Sequence, residues 1–340
     1  MNFSFVFLLN FWINISLVQG QENRLLGTWV LDFAMNGNKE IIDVHSPMFS
    51  NETIYTISSS KLIVNSMSFK ANYDSFNNIN LLDRTLYYRF EGDYLVIQER
   101  GSPDQVLCFM KDSLFLKTYP EFQPKYEIRN GEKLMLQTPF KKATFTSSLE
   151  FTEVLAYYSP ELKKKSKGEF YCEIEFVLDT NSKIRDVVFP IALDKKLQED
   201  ILKAMPKVNE YYFNYTKENI LIKERINYMS MKKTNMSEEM KNFVENYNKG
   251  SKFYRSNEPE QAIKCFEEVK DIEVNRNRYG GMYYDDYLKT MGICYLMVGK
   301  QDEACKVFNK WGSLSDFKVR NFLRFFCHKE EVGKDNELLK

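Results

Sequence analysis

The spacing of apolar residues changes twice along this 340-residue chain, and this change constrains the fold more than any other feature of the sequence. From about residue 23 to residue 155, short aromatic and β-branched runs are separated by turn residues, which is typical of antiparallel strands. Residues 169–229 carry strand-like and helix-like patterns in turn, and from Ser237 the apolar residues recur at helical spacing. The sequence therefore predicts a multidomain α+β protein whose parts each bury their own apolar residues.

The composition narrows the classes of function. Lys plus Arg and Asp plus Glu both number 47, so no global charge draws the chain to nucleic acid, and we predict no nucleic-acid partner. The sequence contains two histidines, His45 and His328, which argues against a multi-histidine metal site or a histidine-based relay. Because phosphate-loop, zinc-protease and nucleophile-elbow motifs are also missing, we predict a non-enzyme with no catalytic residues, no metal and no cofactor.

The N-terminus predicts export. Residues 3–18 are mostly apolar but fall short of the roughly 20 residues that span a bilayer, and Val18-Gln19-Gly20 offers small residues at a cleavage site. We interpret residues 1–20 as a cleaved signal peptide; the alternative is an uncleaved anchor. No later segment is long and apolar enough to cross a membrane, so the mature chain is expected in the periplasm, associated with the cell envelope, or secreted.

The six cysteines leave two interpretations open. They contain no C-x-x-C pair and no zinc spacing. Four of them lie in the last quarter of the chain, where export would permit one disulfide bond. The alternative is that each cysteine is a small buried apolar residue.

Residues 21–155 predict an antiparallel β-barrel, because a sheet of eight or nine strands usually closes to remove its edges. Turn signals such as Glu91-Gly92-Asp93 separate the runs. The predicted strands are Leu26–Phe33, Thr53–Ile57, Lys61–Val64, Thr85–Phe90, Tyr94–Gln98, Val106–Met110, Ser113–Thr118, Lys125–Ile128 and Lys133–Gln137.

The first of these strands begins with Leu26-Gly27-Thr28-Trp29, which resembles the Gly-x-Trp element of lipocalin-like domains. The resemblance implies that Trp29 packs across the floor of the barrel. It also implies an interior that either holds a small lipophilic ligand or is filled by its own side chains.

Residues 156–168 are polar and basic and predict a linker with a short helical turn. Beyond it, a hairpin, a helix around Leu197 that ends at Met205-Pro206, and a final strand follow in order. This order resembles the C-terminal domain of the TonB family over residues 156–232. The matching residues are Gly168, Phe176-Val177-Leu178-Asp179, Lys183-Ile184-Arg185-Asp186-Val187-Val188, Leu197, Met205-Pro206 and the final strand.

In that family the last strand is a sheet edge to which a partner's extended peptide is added. The resemblance therefore implies a peptide-binding edge strand at Ile220, Ile222, Glu224, Ile226 and Tyr228. The chain lacks the Pro-rich spacer of TonB itself, so the resemblance implies a binding fold and not energy transduction. The alternative is an edge that Lys223, Glu224 and Arg225 blunt and that binds nothing.

Residues 237–328 predict two helix pairs, with Ser237 as the first N-cap. Four positions of the first pair recur in the second after a shift of 42 residues: Gly250, Phe253, Ala262 and Phe266 match Gly292, Tyr295, Ala304 and Phe308. This pattern resembles the tetratricopeptide repeat, in which small residues let paired helices approach closely. A further helix at Phe317–Phe326 is expected to cover the open end of the stack.

Together, the three resemblances are those of a multidomain exported bacterial protein of a Bacteroidetes-like type. We expect a cell-envelope adaptor or scaffold that binds a protein or peptide partner through the TonB-like edge and the helical repeats. The alternative is a carrier of a small lipophilic molecule that uses the lipocalin-like barrel.

Overall fold

The computed structural model describes residues 24–50, 52–65, 67–102, 104–167, 170–228, 237–272, 274 and 281–328. The predicted signal peptide, residues 1–20, and Gly168 lie outside the described residues. The chain divides into two compact units, of which unit 1 comprises Met1–Glu121 and Gln301–Lys340 and unit 2 comprises Phe122–Lys300. The division at Gln301 falls inside the range 237–328 that the sequence predicts as one helical region.

In the described part of unit 1, nine strands form one antiparallel sheet in the order β4-β3-β2-β1-β9-β8-β7-β6-β5. The strands are β1 (Gly27–Met35), β2 (Ile54–Ile57), β3 (Lys61–Val64), β4 (Met67–Lys70), β5 (Asn72–Tyr73), β6 (Asn78–Asn80), β7 (Thr85–Glu91), β8 (Tyr94–Glu99) and β9 (Val106–Lys111). The two outermost strands, β4 and β5, are joined by Ala71 alone. The sheet therefore nearly closes on itself, which confirms the predicted antiparallel, barrel-like sheet.

The Gly-x-Trp element has a structural role in this barrel. Trp29 is 2% exposed, and its Nε1–H donates to the Leu25 carbonyl at 2.7 Å. The Lys111 ammonium lies 4.6 Å from the centre of the Trp29 ring, a favourable cation–π distance. Gly27 has φ +119°, and an added Cβ would lie 3.1 Å from the Lys111 side chain, so glycine fits both the backbone and the space.

Helices cover the outer face of the barrel wall at β1. They are α1 (Asp112–Thr118) and α9 (Phe317–Phe322), which continues as a π-helical turn at Leu323–Cys327 and packs in turn against α8 (Gln301–Trp311). Phe33 on β1 packs against Phe325 of this turn at 6.2 Å between ring centres. The helix predicted at Phe317–Phe326 does pack against α8, through Phe308 and Phe322 at 4.8 Å, but its other side packs on the barrel.

A disulfide bond joins Cys305 of α8 to Cys327 of the π-helical turn, with a Cα–Cα distance of 5.6 Å. The other four cysteines are free and buried. Each of the two interpretations of the cysteines therefore holds for part of the set.

Two features of unit 1 differ from the sequence prediction. The predicted strand Ser113–Thr118 is the helix α1, because its short apolar run fits either period and Asp112 stabilises a helix start. Strands β4, β5 and β6 were missed, because their Asn-rich, polar sequence has low strand propensity and their pairing comes from closure of the sheet.

In the described part of unit 2, a five-stranded sheet has the order β10-β11-β16-β13-β14, and β12 pairs with β15. The strands are β10 (Tyr126–Arg129), β11 (Glu132–Leu136), β12 (Thr144–Phe145), β13 (Phe170–Leu178), β14 (Ile184–Val188), β15 (Tyr212–Phe213) and β16 (Ile220–Tyr228). Strands β10 and β11 were assigned from the sequence to the N-terminal barrel. Their alternation reveals a strand but not the sheet to which it belongs.

Three helices pack on one face of this sheet: α2 (Phe151–Tyr158), α3 (Pro160–Lys165) and α4 (Lys195–Asn209). The predicted linker is therefore largely helical and contributes Leu162, which is 0% exposed, to the core. Ser159 caps α3 by accepting from the Leu162 N–H at 3.3 Å, and Pro160 occupies the first turn. Helix α4 continues past Pro206 to Asn209, where the sequence predicted an end at Met205-Pro206.

The remaining helices of unit 2 are α5 (Glu238–Arg255), α6 (Pro259–Glu267) and α7 (Gly281–Met297). Ser237 is the N-cap of α5, as predicted, and its side chain accepts from the Met240 N–H at 3.2 Å. Among the described helices, none combines the length and apolar character that crossing a bilayer requires.

Candidate functional site

Strand β16 is interior to its sheet at one end and open at the other. It pairs antiparallel with β13 along its whole length, from Ile220 to Tyr228. On its other side, β11 pairs in parallel with Ile220 and Leu221, and no strand of the described ranges continues this pairing. The sequence predicts an edge along all of β16, whereas the structure leaves one from Lys223 onward.

The pairing with β11 shows which main-chain groups face the open side. The Met135 N–H donates to the Asn219 carbonyl at 2.9 Å, so the groups of Asn219 face β11. Main-chain groups alternate in direction along a strand, which places those of Leu221, Lys223 and Arg225 on the same side. The N–H and C=O groups of Lys223 and Arg225 therefore point out of the sheet. We call Lys223–Tyr228 the open half of β16.

The predicted edge residues turn their side chains to the core. Ile220, Ile222 and Ile226 are each 0% exposed and pack in the cluster that includes α2 and α4. Glu224 and Tyr228 are half-buried on the same face. By alternation, the main-chain groups of all five point to β13. The outward main-chain groups belong instead to Lys223 and Arg225, which the alternative interpretation treated as blunting residues.

The face of β16 opposite the core is charged. The Lys223 ammonium lies 2.9 Å from a carboxylate oxygen of Glu127 and 3.5 Å from one of Glu175. The Arg225 guanidinium lies 3.6 Å from Glu173, and the Arg225 side chain is 65% exposed while that of Glu173 is 25% exposed. Arg225 is therefore the more accessible charge of its pair.

The hairpin of β10 and β11 extends the sheet beside the start of β16, and its Glu127 and Arg129 contact Lys223 and Glu175 on this face. Leu134, Val177 and Leu221, from three neighbouring strands, form a small second apolar cluster. Hydrogen bonds from Lys223 and then Arg129 lower the pKa of Glu127, so this carboxylate is satisfied by two cations.

Glu224 is the polar residue on the core face of the open half. Burial raises the pKa of its carboxyl, and the Tyr212 hydroxyl, which donates to Glu224 at 3.0 Å, only partly offsets this effect. The hydroxyl of Tyr228 is buried and has no hydrogen-bond partner among the described residues.

The predicted repeat residues are packing residues. An added Cβ on Gly250 would lie 2.4 Å from the Phe266 ring, which shows how closely α5 and α6 approach. Ala262 and Phe266 are 0% exposed, and so are Ala304 and Phe308 in unit 1. Phe253 is half-buried, Gly292 is buried, and the Tyr295 hydroxyl donates to Glu267 at 2.7 Å.

A buried ion cluster in unit 1 was not predicted. Asp32 is 0% exposed and accepts from Arg320 at 2.9 Å, Arg324 at 2.7 Å, and the hydroxyls of Tyr119 at 2.9 Å and Tyr94 at 3.0 Å. Burial alone would raise the pKa of Asp32, but Arg324 and Arg320 together with both hydroxyls hold it below its ordinary value. The sequence signal was one Asp within the apolar run Val30–Phe33.

Aromatic rings occupy the interior of the barrel. Tyr55 and Phe109 lie 4.5 Å apart between ring centres, and Trp29 and Phe90 lie 5.9 Å apart. These residues belong to one continuous cluster with Leu62, Ile79, Leu95 and Ile97, each 0% exposed. This packing favours an interior filled by its own side chains.

Within the described ranges, no three His, Cys, Asp or Glu side chains come together in a way that could hold a metal ion. Comparisons with known protein families, with characterised proteins and with solved structures found no match to this chain. The open half of β16 is therefore the candidate site on geometric grounds alone.

Proposed function

We propose that this chain is an exported cell-envelope adaptor that binds an extended peptide segment of a partner protein. The segment adds to the open half of β16 as a further strand. The observation that carries the proposal is the outward direction of the main-chain groups of Lys223 and Arg225 at a place where strand pairing stops. Such groups are the template for β-augmentation.

The resemblance to the C-terminal domain of the TonB family supports this proposal. Strands β13 and β14, helix α4 and strand β16 follow in the order that the resemblance requires, with β16 beside β13. Here β11 of the same chain already pairs with the first two residues of β16. A partner segment would extend the sheet beyond the point that β11 reaches.

The disulfide bond between Cys305 and Cys327 supports export, because such bonds form and persist in oxidising compartments. The predicted signal peptide at residues 1–20 points the same way.

The helices from Ser237 onward supply the scaffold role in this proposal. Their resemblance to tetratricopeptide repeats rests on close approach at Gly250 and on the buried residues that recur after 42 positions. The lipocalin-like barrel, with its interior of packed rings, is assigned a structural role.

The number of available main-chain groups sets the expected affinity. Lys223 and Arg225 offer about four hydrogen bonds, each contributing on the order of 1 kcal/mol. About 4 kcal/mol corresponds to a dissociation constant of about 1 mM, which contacts of the segment's side chains are expected to lower toward about 1 µM. Such a partner would bind and dissociate rapidly, as suits an adaptor.

Selection from a random seven-residue peptide library displayed on phage tests the proposal with the mature full chain as bait. In a bound peptide, the main-chain amides of every second residue face β16. We expect selected peptides to lose affinity when these amides are N-methylated. N-methylation of the other set is the matched control and should leave affinity unchanged. Equal tolerance of both sets would show that main-chain pairing does not hold the peptide, and would overturn the proposal.

A variant of the protein itself provides a second test of the proposed site. Arg225→Pro removes an N–H that points out of the sheet, whereas the ladder with β13 uses the groups of Glu224 and Ile226. We expect this variant to keep its far-ultraviolet circular dichroism and to lose peptide binding at least tenfold. Undiminished binding by a folded Arg225→Pro variant would contradict the proposed site.

A further inference from the structure

We propose that the open half of β16 selects extended segments in which acidic and apolar side chains alternate. This inference rests on the proposed function, because it names the chemistry of the partner for the same strand edge. It follows from the charges and the apolar residues on the two faces of the open half.

The exposed face presents cations to an added strand. Lys223 and Arg225 project from this face of β16, which is the outermost strand at this point of the sheet. Their acidic partners Glu175 and Glu173 lie on β13, one strand further in and less exposed, at 14% and 25%. An added strand would therefore meet the two cations at the spacing of neighbouring strands, about 4.8 Å, and the two carboxylates at about twice that distance.

The nearest additional carboxylate does not reverse this charge. Glu127 is bound to both Lys223 and Arg129, whose hydrogen bonds lower its pKa, and Arg129 also contacts Glu175, so these four side chains balance one another within the chain. Arg225 has Glu173 as its ion-pair partner at 3.6 Å, longer than the 2.9 Å between Lys223 and Glu127. Arg225 is therefore the residue most available to a carboxylate of the partner.

The core face of the open half is apolar apart from Glu224, which lies between Ile222 and Ile226. Ile222 and Ile226 lie on this face of β16 and belong to the buried cluster, with the ring of Tyr228 packed against it. Because side chains alternate between faces, a segment that places acidic residues beside Lys223 and Arg225 places its other residues beside this apolar face. A segment in which acidic and apolar residues alternate therefore matches both faces of the open half of β16.

Matched synthetic peptides test this selectivity on the mature full chain. The probes are three seven-residue peptides in which valine alternates with glutamate, lysine or serine, capped at both ends. Affinity is measured by isothermal titration calorimetry, and the amide resonances of Lys223 and Arg225 report where the peptide binds. We expect the glutamate peptide to bind about tenfold more tightly than the lysine peptide, with serine between them and with the difference shrinking as salt is raised.

A single substitution locates the selectivity. Arg225→Gln should reduce the preference for glutamate over lysine about threefold. The control Lys195→Gln also removes one positive charge, from a side chain on α4 that is 90% exposed, and should leave the preference unchanged.

The outcomes separate the two claims. Equal affinity for the three peptides, with shifted resonances at Lys223 and Arg225, would overturn the charge selectivity and leave the strand edge standing as the binding site. Binding of none of the three peptides, when library-selected peptides do bind, would also overturn it. If neither these peptides nor library peptides shift the two resonances, the proposed function fails together with the inference.

Discussion

At the scale of single residues, Asp32 is a charged group in the interior of unit 1. Its carboxylate is fully buried, and two arginines with two tyrosine hydroxyls surround it. Removing one partner of a buried ion cluster is costly because the remaining charges keep their desolvation penalty and lose their compensation. Arg320 is itself 1% exposed and would be left without its carboxylate.

Asp32→Asn is expected to lower the free energy of unfolding of unit 1 by about 3–5 kcal/mol at pH 7. The measurement is urea denaturation followed by fluorescence of Trp29 and Trp311, which both lie in unit 1. Asp83→Asn is the control, because the Asp83 side chain is 74% exposed and lies 3.8 Å from Arg84. A loss at Asp32 no larger than the loss at Asp83 would contradict the role of the cluster.

The same residue sets a pH dependence. The pKa of Asp32 is lower in the folded state than its ordinary value of 3.8. The stabilisation from its charged form is therefore complete above about pH 5 and is lost as pH falls below 4 through the folded-state pKa. We measure the midpoint of urea denaturation between pH 3 and pH 7. In the native protein the midpoint should fall below pH 4 by the contribution of Asp32, and this contribution should be missing in Asp32→Asn.

Replacing Gly250 by alanine is expected to change helix stability in the direction opposite to the usual one. Replacing a glycine inside a helix by alanine ordinarily stabilises the helix by about 1 kcal/mol. At position 250 the new Cβ would lie 2.4 Å from the Phe266 ring, so Gly250→Ala is expected to destabilise α5 and α6 by about 1–3 kcal/mol. Amide hydrogen exchange in these two helices provides the measurement.

A second substitution checks the cause of this effect. Combining Gly250→Ala with Phe266→Leu should restore part of the lost protection, because the shorter side chain relieves the overlap. Increased protection in Gly250→Ala alone would contradict the close approach of the two helices.

At the scale of elements, alternation in the sequence predicted most strands but not their partners. The runs of β1, β2, β3, β7, β8 and β9 were located from apolar spacing, and so were β13, β14 and β16. The assignment of β10 and β11 to a sheet depended on where the chain turns after α1, which no local pattern encodes. The same two strands decide that β16 is open only from Lys223, so the extent of the candidate site could not be predicted either.

The polar segments were the other source of error. The segment before Gly168 resembled a linker, because Lys163, Lys164 and Lys165 face solvent. A single buried side chain, Leu162, together with the cap Ser159, makes it a helix of the core. A six-residue segment with a single buried apolar side chain shows no helical periodicity, so the sequence does not reveal this helix.

The disulfide bond is expected to stabilise unit 1 through the helix that it fixes. Cys305 and Cys327 are separated by 22 residues, and closing a loop of this size contributes about 3 kcal/mol in the chain-entropy description. The double variant Cys305→Ser, Cys327→Ser should lose about that much in urea denaturation followed by Trp29 and Trp311 fluorescence. Dithiothreitol should lower the stability of the native protein to the same level and leave the double variant unchanged, and an equal effect on both would contradict this account.

At the scale of the whole molecule, unit 1 is assembled from segments at both ends of the chain, whereas unit 2 is continuous. The sequence predicted consecutive modules, because apolar spacing reports local structure and carries no information on contacts between residues nearly 290 positions apart. The ion pair between Asp32 and Arg320 is such a contact. Its clearest sequence sign, an Asp among apolar residues, does not indicate where the partner lies.

Deletion of the C-terminal segment tests this organisation. In a chain of residues 21–300, Asp32 lacks both arginines, and the outer face of β1 lacks α9 and the π-helical turn that follows it. We expect the amides of β1, β8 and β9 to exchange rapidly, while those of β13 and β16 stay protected. A chain that ends at residue 328 retains both arginines and should keep full protection, and retention of protection in β1 of the shorter chain would contradict the assembly of unit 1.

The central claim is that β16 receives a partner strand along its open half, and amide hydrogen exchange of the mature full chain tests it most directly. Without peptide, Ile222, Glu224 and Ile226 should exchange slowly because their N–H groups face β13, while Lys223 and Arg225 should exchange rapidly. Saturation with a library-selected peptide should slow exchange at Lys223 and Arg225 at least tenfold. Unchanged exchange at these two residues, with slowing elsewhere in the chain, would contradict the claim.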